Sequence, residues 1–292
     1  VRVSGVKSFS GCSALESISL PAGLEKINSG AFEKCTALKS VTFKMTSGWG
    51  YADTSDALEG TLISASILSD AKTAAEALTT TYASKYWTRG EVYSQNLEFT
   101  ISDDGKYYIV TGIGTCTDME VTVPSTYKGL PVAEISSFDE SVTVTGIYIP
   151  GSVKKIGDGA FKYCYALSNV VLCQGLEIIG ADAFSGSAVK SVDIPASVTS
   201  IGVRAFENCQ SLEEVVFLGN KITDIELRTF NGCNSLKNFS IPSSVTYIAP
   251  YAFCDTLITS LTVPSGVNYI GYKALPTSIS SLEFKDTEGW QI

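Results

Sequence analysis

The sequence predicts a repeat solenoid in which units of 22–24 residues stack their short strands into a parallel β ladder. Three observations carry this expectation. First, an aromatic anchor recurs: Phe138, Phe161, Phe184, Phe206, Phe230 and Phe253 are 22 to 24 residues apart, Leu275 continues the series, and Phe9 and Phe32 repeat it near the start. Second, the residue before each Phe anchor is small: Ala31, Ala160, Ala183, Ala205 and Ala252, with Ser8, Ser137 and Thr229 in the same place. Third, each anchor region is tied to a short alternating strand, often closed by proline.

Those strands read Ile18-Ser19-Leu20-Pro21, Ile147-Tyr148-Ile149-Pro150, Val192-Asp193-Ile194-Pro195, Phe239-Ser240-Ile241-Pro242 and Leu261-Thr262-Val263-Pro264. Proline ends strand pairing because it has no N–H to donate. A Val then leads to an Ile-Gly pair, as in Val153 with Ile156-Gly157 and Val198 with Ile201-Gly202. After the anchor come a Cys at the third residue and a Leu three further on, as in Phe206, Cys209, Leu212 and Phe230, Cys233, Leu236. One such unit cannot cover its own apolar side. Stacked at the strand spacing of ~4.8 Å, the Phe, Leu and Ile positions become columns of one continuous core.

The repeats divide the chain. Residues 1–43 read as the end of a first array and residues 137–284 as a second array of about seven repeats. Between them, 44–95 reads as a mixed α/β cap and linker, in which Ser69-Asp70 caps a helix over Ala71–Leu78 and Tyr82, Tyr86 and Trp87 cover a core end. Residues 96–136 read as a β-hairpin module opening the second array, with Phe99-Thr100-Ile101 and Tyr107–Val110 flanking the turn Asp103-Asp104-Gly105. The segment Ser40–Lys44 with Gly48-Trp49 is echoed by Ser281–Lys285 with Gly289-Trp290. Residues 285–292 therefore read as the start of a second cap, in a parent protein that strings several arrays together.

This pattern resembles the BspA-like, or Treponema-type, leucine-rich repeats of bacterial surface proteins, over roughly residues 1–43 and 137–284. The match departs at Gly186-Ser187-Ala188, where Ser replaces Cys, and at the coils around Phe138 and Leu275. The resemblance implies a leucine-rich-repeat solenoid, an extracellular or cell-surface location, and adhesion to host-matrix or bacterial proteins or to glycans.

Composition narrows the function classes. Hydrophobic residues make up 45% and charged residues 17% of the 292, enough to build a core. A net charge of −9 with no basic run argues against nucleic acid and anionic membrane surfaces. The sequence holds no histidine, which removes the commonest general base and metal ligand. No apolar stretch approaches the ~20 residues needed to cross a bilayer, so membrane insertion is not expected. The chain opens at Val1 without a signal-peptide pattern and reads as part of something longer.

Of the eight cysteines, Cys12, Cys35, Cys164, Cys209 and Cys233 occupy one repeat position and read as a buried small apolar column. Side chains running parallel suit disulfides poorly, and the lack of Cys-x-x-Cys spacing and histidine speaks against zinc. Cys116, Cys173 and Cys254 fall in no pattern. The acidic pairs Asp103-Asp104 and Glu213-Glu214 sit in a turn and beside a strand, so no catalytic, cofactor or metal site is expected.

The candidate partner surface is the outward row of the strands: Tyr148, Val171, Asp193 and Val216, continued by Ser240, Thr262 and Glu283. A second row holds Tyr247 and Tyr269, with Tyr251 and Tyr272 nearby; tyrosine carries much contact area at little entropy cost. The plainer reading is that these tyrosines shield backbone near the array end. The expected partner is an extracellular protein or glycan bound by a monomer. The alternatives are a structural spacer and an accessory module of a larger secreted protein.

Overall fold

A computed structural model describes residues 3–4, 7–21, 24, 26–44, 49–53, 61–63, 65–89, 93–138 and 143–286. Gly48, Gly289 and Trp290, which carry the echo between the two array ends, lie outside the described residues. The chain forms two compact units, Val1–Ser94 with Val121–Pro124, and Gln95–Glu120 with Ser125–Ile292. Both are built on stacked parallel coils of the β-solenoid type.

In the first unit, Ser17–Leu20 and Ser40–Phe43 pair in parallel, with Ile18 opposite Val41 and Leu20 opposite Phe43. Phe9 stacks on Phe32 at 4.9 Å. The parallel run then stops, because Tyr86–Arg89 lies antiparallel on Lys26–Ile27 and antiparallel again on Trp49–Ala52. A crossing antiparallel strand covers what would be an open ladder edge. Behind it Phe43, Trp49 and Trp87 form one aromatic knot, with Trp49 and Trp87 buried and the indole N–H of Trp87 donating to the Tyr82 carbonyl at 3.2 Å.

The expected helix forms. Asp70 is its N-cap, accepting from the N–H groups of Lys72 and Thr73, and the α-helical run is Ala71–Glu76 rather than Ala71–Leu78. From Ala77 to Thr81 the chain widens into a π-helical turn. The cause is the Thr79-Thr80-Thr81 run: the Thr79 and Thr80 hydroxyls donate back to the carbonyls of Ala75 and Glu76, a contact that loosens helix geometry.

The second unit opens with the hairpin Glu98–Ile101 and Tyr108–Gly112. Ser102 builds its turn by donating to Asp104 and accepting from the N–H groups of Lys106 and Tyr107. The Ser102 hydrogen bond, with those from Lys106, holds the Asp104 carboxyl below the usual range. Leu130–Ile135 adds in parallel to the hairpin, and Lys155–Ile156, Ile178–Ile179 and Ser200–Ile201 continue the sheet. Asp224–Ile225, Tyr247–Ile248 and Tyr269–Ile270 extend the series as a separate ladder. Each of these strands ends on an inward isoleucine: Ile135, Ile156, Ile179, Ile201, Ile225, Ile248 and Ile270.

The longer strands Gly146–Ile149, Asn169–Leu172, Ser191–Ile194 and Glu214–Phe217 form the other parallel face, and Ser260–Val263 pairs with Ser281–Phe284 beyond it. The strand expected at Phe239–Ile241 is not made. Its inward place, held elsewhere by Ile147, Val170, Val192, Val215 and Leu261, is here taken by the much larger Phe239. That ring wedges edge-on against Phe230 at 5.1 Å and Phe253 at 4.7 Å. The anchor column records the wedge: Phe138 to Phe206 are spaced 5.0–5.2 Å, whereas Phe206 to Phe253 are spaced 5.7 Å.

The anchors themselves are held by backbone. The N–H of Phe161 donates to the Ala183 carbonyl of the next coil at 2.7 Å, and Phe138, Phe184, Phe230 and Phe253 do the same to Ala160, Ala205, Ala252 and Ala274. The Ala–Phe pair is therefore a ladder position as well as a packing position. Left-handed corners flank the anchors from Phe9 to Phe32 and from Phe161 to Phe253. Two residues before stand Lys7, Gly30, Gly159, Asp182, Arg204, Arg228, Tyr251 and Lys273, all at positive φ. Two residues after stand Gly11, Lys34, Tyr163, Gly186, Asn208, Gly232 and Asp255, also at positive φ.

Candidate binding surfaces

The proposed strand row changes character along the array. Tyr148 and Val171 are buried, at 3% and 2% exposure, which corrects their placement on the open surface. The reason is legible in the strands that hold them. Gly146-Ile147-Tyr148-Ile149 is buried at every position and Asn169–Leu172 at its last three, the pattern of a parallel strand covered on both faces. From Asp193 onward the row turns outward: Asp193 and Val216 are half-buried, and Ser240, Thr262 and Glu283 are exposed. The Thr262 hydroxyl donates to Glu283 at 3.1 Å, linking two coils on that face. Hydrogen bonds from Lys285 and Thr262 hold the Glu283 carboxyl below the usual range.

The four tyrosines of the second row form two pairs. Tyr247 and Tyr269 are register partners on adjacent short strands and stack face to face at 4.6 Å, 7° from parallel. Tyr269 is exposed and Tyr247 half-buried. Partial burial, then the nearby Tyr269, Glu226 and Asp224, push the Tyr247 phenol up. Tyr251 and Tyr272 meet edge to face at 5.6 Å on the turn side of the coils. The Arg228 guanidinium lies 5.1 Å over Tyr251 and the Lys273 ammonium 5.5 Å over Tyr272.

A third aromatic group escapes the sequence reading. Tyr163 and Tyr165 flank the buried Cys164 and line a groove of about 480 Å³ with Gly186, Ser187, Ala188, Asn208, Gln210 and Ser211. The rings are 18° from parallel with centroids 5.9 Å apart. The signal was the Tyr-Cys-Tyr triplet itself, since a buried central residue turns both neighbours outward. A second groove, of about 440 Å³, is lined by Glu213, Glu214, Asn234, Ser235, Lys237, Asn238 and Leu257.

Charged side chains run across the turns as an alternating series. Lys162 pairs with Asp182 at 3.2 Å, Arg204 pairs with Asp182 at 3.2 Å and with Glu207 at 3.9 Å, and Arg228 reaches Glu207 at 3.6 Å. Burial raises the Asp182 carboxyl, but the hydrogen bonds from Arg204 and Lys162 outweigh it and hold the group below its ordinary value. On the strand side, Lys155 donates to Glu134 at 2.8 Å, which holds the ammonium above the usual lysine range.

The family model for the BspA type leucine rich repeat region matches residues 3–49, 133–226 and 214–288, in six copies. The chain belongs to this family. Residues 50–132, with the helix, the crossing strand and the hairpin, lie outside the matched BspA type ranges. Among solved structures, a leucine-rich repeat protein from Bacteroides ovatus is 26% identical over 65% of this chain and 60% of its own, with a TM-score of 0.48. The T. pallidum leucine rich repeat protein is 22% identical over 66% of this chain and 85% of its own, with a TM-score of 0.42. A leucine rich cell surface protein from Faecalibacterium prausnitzii is 22% identical over 99% of this chain and 52% of its own, with a TM-score of 0.38. The chain thus spans three fifths of the B. ovatus protein's length. No curated protein matches it.

The cysteines of these BspA type repeats are all free thiols. Their column does more than fill space. The thiols of Cys35, Cys209 and Cys233 donate to the carbonyls of Phe9, Phe184 and Phe206, the anchors of the preceding coils, at 3.0 to 3.1 Å. Each of those carbonyls already accepts the N–H three residues on in its own coil, so the thiol satisfies its second lone pair. Ser187 and Thr256 keep a buried hydroxyl where Cys stands in other coils. Cys12 departs from the expected burial: it lies in the first described coil and is exposed. Burial pushes the Cys209 thiol up to about 12 and the Cys233 thiol well above its ordinary value. Such groups are poor nucleophiles and metal ligands. Among the described residues, no three His, Cys, Asp or Glu side chains are grouped to hold a metal ion, and no helix is long and apolar enough to cross a membrane.

Proposed function

We propose that this protein is a non-enzymatic binding module, secreted or displayed on the bacterial cell surface, that holds an extracellular protein or glycan on the outer side of its coils. One observation carries the reading: tyrosines stand out from a stiff, fully packed ladder where solvation alone calls for small polar residues. Tyr165 is 63% exposed on a coil whose anchor, Phe161, is buried to 1%, and Tyr272 and Tyr269 are 65% and 43% exposed on the coil of Leu275. Exposed aromatic rings on a rigid scaffold lose little entropy when a partner covers them. Asp193, Val216, Tyr247, Tyr251, Tyr269 and Tyr272 remain the surface we assign to a protein partner, and Tyr148 and Val171 leave it.

The family supports the location, since a solenoid that presents a long surface suits display outside the cell. The spacer reading draws on the charge series from Lys162 to Arg228, which ties successive coils together. A screen of the whole chain against extracellular-matrix proteins and a glycan array separates the two. Saturable binding weakened by the Tyr247→Ala/Tyr269→Ala double variant supports the module; a blank on both panels, with the fold verified by circular dichroism, supports the spacer.

A further inference from the structure

We infer that the groove at Tyr163 and Tyr165 is a binding subsite for a neutral carbohydrate, an inference that rests on the binding-module reading and deepens it. The groove is built rather than incidental. Tyr163 occupies a left-handed corner at φ 57°, and its ring lies across Gly186 of the next coil. A Cβ on Gly186 would stand 2.6 Å from Cδ1 of that ring, and Gly186 is itself at φ +71°. Glycine there lets the ring lie down as a groove wall. The Lys162 ammonium, paired with Asp182, sits 5.3 Å from the Tyr163 ring centroid and holds that wall from another side.

Tyr165 supplies the platform. At 5.9 Å the two rings are slipped past one another, which leaves the face of the 63%-exposed Tyr165 open. The electron-rich face of a phenol attracts the weakly positive C–H bonds of a pyranose ring. Across the groove stand the side chains of Asn208, Gln210 and Ser211. Two amides and a hydroxyl offer both donors and acceptors, which is what sugar hydroxyls require.

Charge chooses the class of glycan. All eight lining residues are uncharged, in a chain of net charge −9. The nearby cation, Lys162, is already paired with Asp182. Sialylated, sulfated or uronic sugars would enter without a counter-charge, so neutral hexoses and N-acetylhexosamines fit best. The tyrosine pair at 247 and 269 does not offer the same chemistry. Its rings cover each other at 4.6 Å, with Asp224 beside them in register.

The test is an array of neutral and acidic glycans probed with the whole chain, with titration of the best hit against variants. Tyr165→Ala and Gln210→Ala change exposed side chains and leave the core intact, which circular dichroism verifies; Leu218→Ala, at an exposed position outside the groove and outside both candidate rows, is the control. The inference expects saturable binding to a neutral glycan, weakened about tenfold by Tyr165→Ala and several-fold by Gln210→Ala, and unchanged by Leu218→Ala. Binding to acidic glycans alone, neutral-glycan binding indifferent to both groove variants, or no glycan binding by the folded chain would overturn it. A protein partner bound through Tyr269 with no glycan bound would overturn the subsite while leaving the broader module reading in place.

Discussion

At the residue scale, each coil is specified by a few side chains with more than one duty. The anchor Phe packs against its neighbours and its carbonyl takes a thiol from the next coil, so the Cys column is selected for a small donor rather than for reactivity. Replacing Cys209 by Ser keeps a donor, as Ser187 does naturally. Replacing it by Val removes the donor and adds volume in a packed core, a change costing about 1–3 kcal/mol. Urea unfolding of the two variants should rank Ser above Val; the reverse order would mean the column is only a filler. Thiol accessibility gives a second check. Under native conditions a maleimide should label exposed Cys12 quickly and leave Cys35, Cys164, Cys173, Cys209 and Cys233 unmodified until the chain unfolds, as read by intact mass. The left-handed corners were harder to see in the sequence. Gly30, Gly159, Gly186 and Gly232 mark some of them, and Asp182 and Asn208 are of types that tolerate it, but Lys7, Arg204, Arg228 and Tyr251 adopt the same conformation without a compositional signal, because stacking on neighbouring coils imposes it.

At the element scale, the period announced the ladder of longer strands, and local capping and turn signals announced the helix and the hairpin. The second ladder, of two-residue strands ending in isoleucine, carried no strand-length pattern to read. What pattern could not show was interruption and covering. The Phe239 strand has the right alternation and fails because one inward ring is too large for the column. Tyr148 and Val171 occupy outward positions by period and are buried all the same, because exposure depends on what lies over a strand, not on its own alternation. The anchor stack should be the most sensitive part of the array. Phe184→Ala removes a fully buried ring that contacts anchors on both sides and should cost about 3–5 kcal/mol. An unfolding free energy lowered by less than 1 kcal/mol would show that the column is not the core. The Asp182 pairs make a pH prediction at the same scale. A carboxyl held below its unfolded value of about 3.9 stabilises the fold above that pH, and the contribution is lost as pH falls through the folded value. The stability gap between wild type and Asp182→Asn should therefore be full at neutral pH and shrink in acid below about pH 4. A gap independent of pH would rule out the charge as its source.

At the scale of the whole molecule, a solenoid transmits disturbance to neighbours first. In a Phe184→Ala variant, amide hydrogen exchange should speed up most in the coils of Phe161 and Phe206 and least near Phe253, because each repeat contacts only those beside it. The architecture was legible from the spacing of eight phenylalanines. The surface was less so, since a period locates the outward side chains without saying which are covered or which face one another across a groove. Tyr269 and Tyr272 could be picked from the sequence, while Tyr163 and Tyr165 needed the coil geometry that lays one ring over Gly186.

The most direct test of the central claim is a quantitative binding isotherm of the whole folded chain against immobilised extracellular-matrix proteins and neutral glycans. The account predicts saturable binding to at least one of them, lost with the exposed tyrosines at 165 or 269 and kept when buried positions are conservatively changed. Flat isotherms across both sets from a cooperatively folded sample would contradict the binding-module reading and leave a structural spacer in its place.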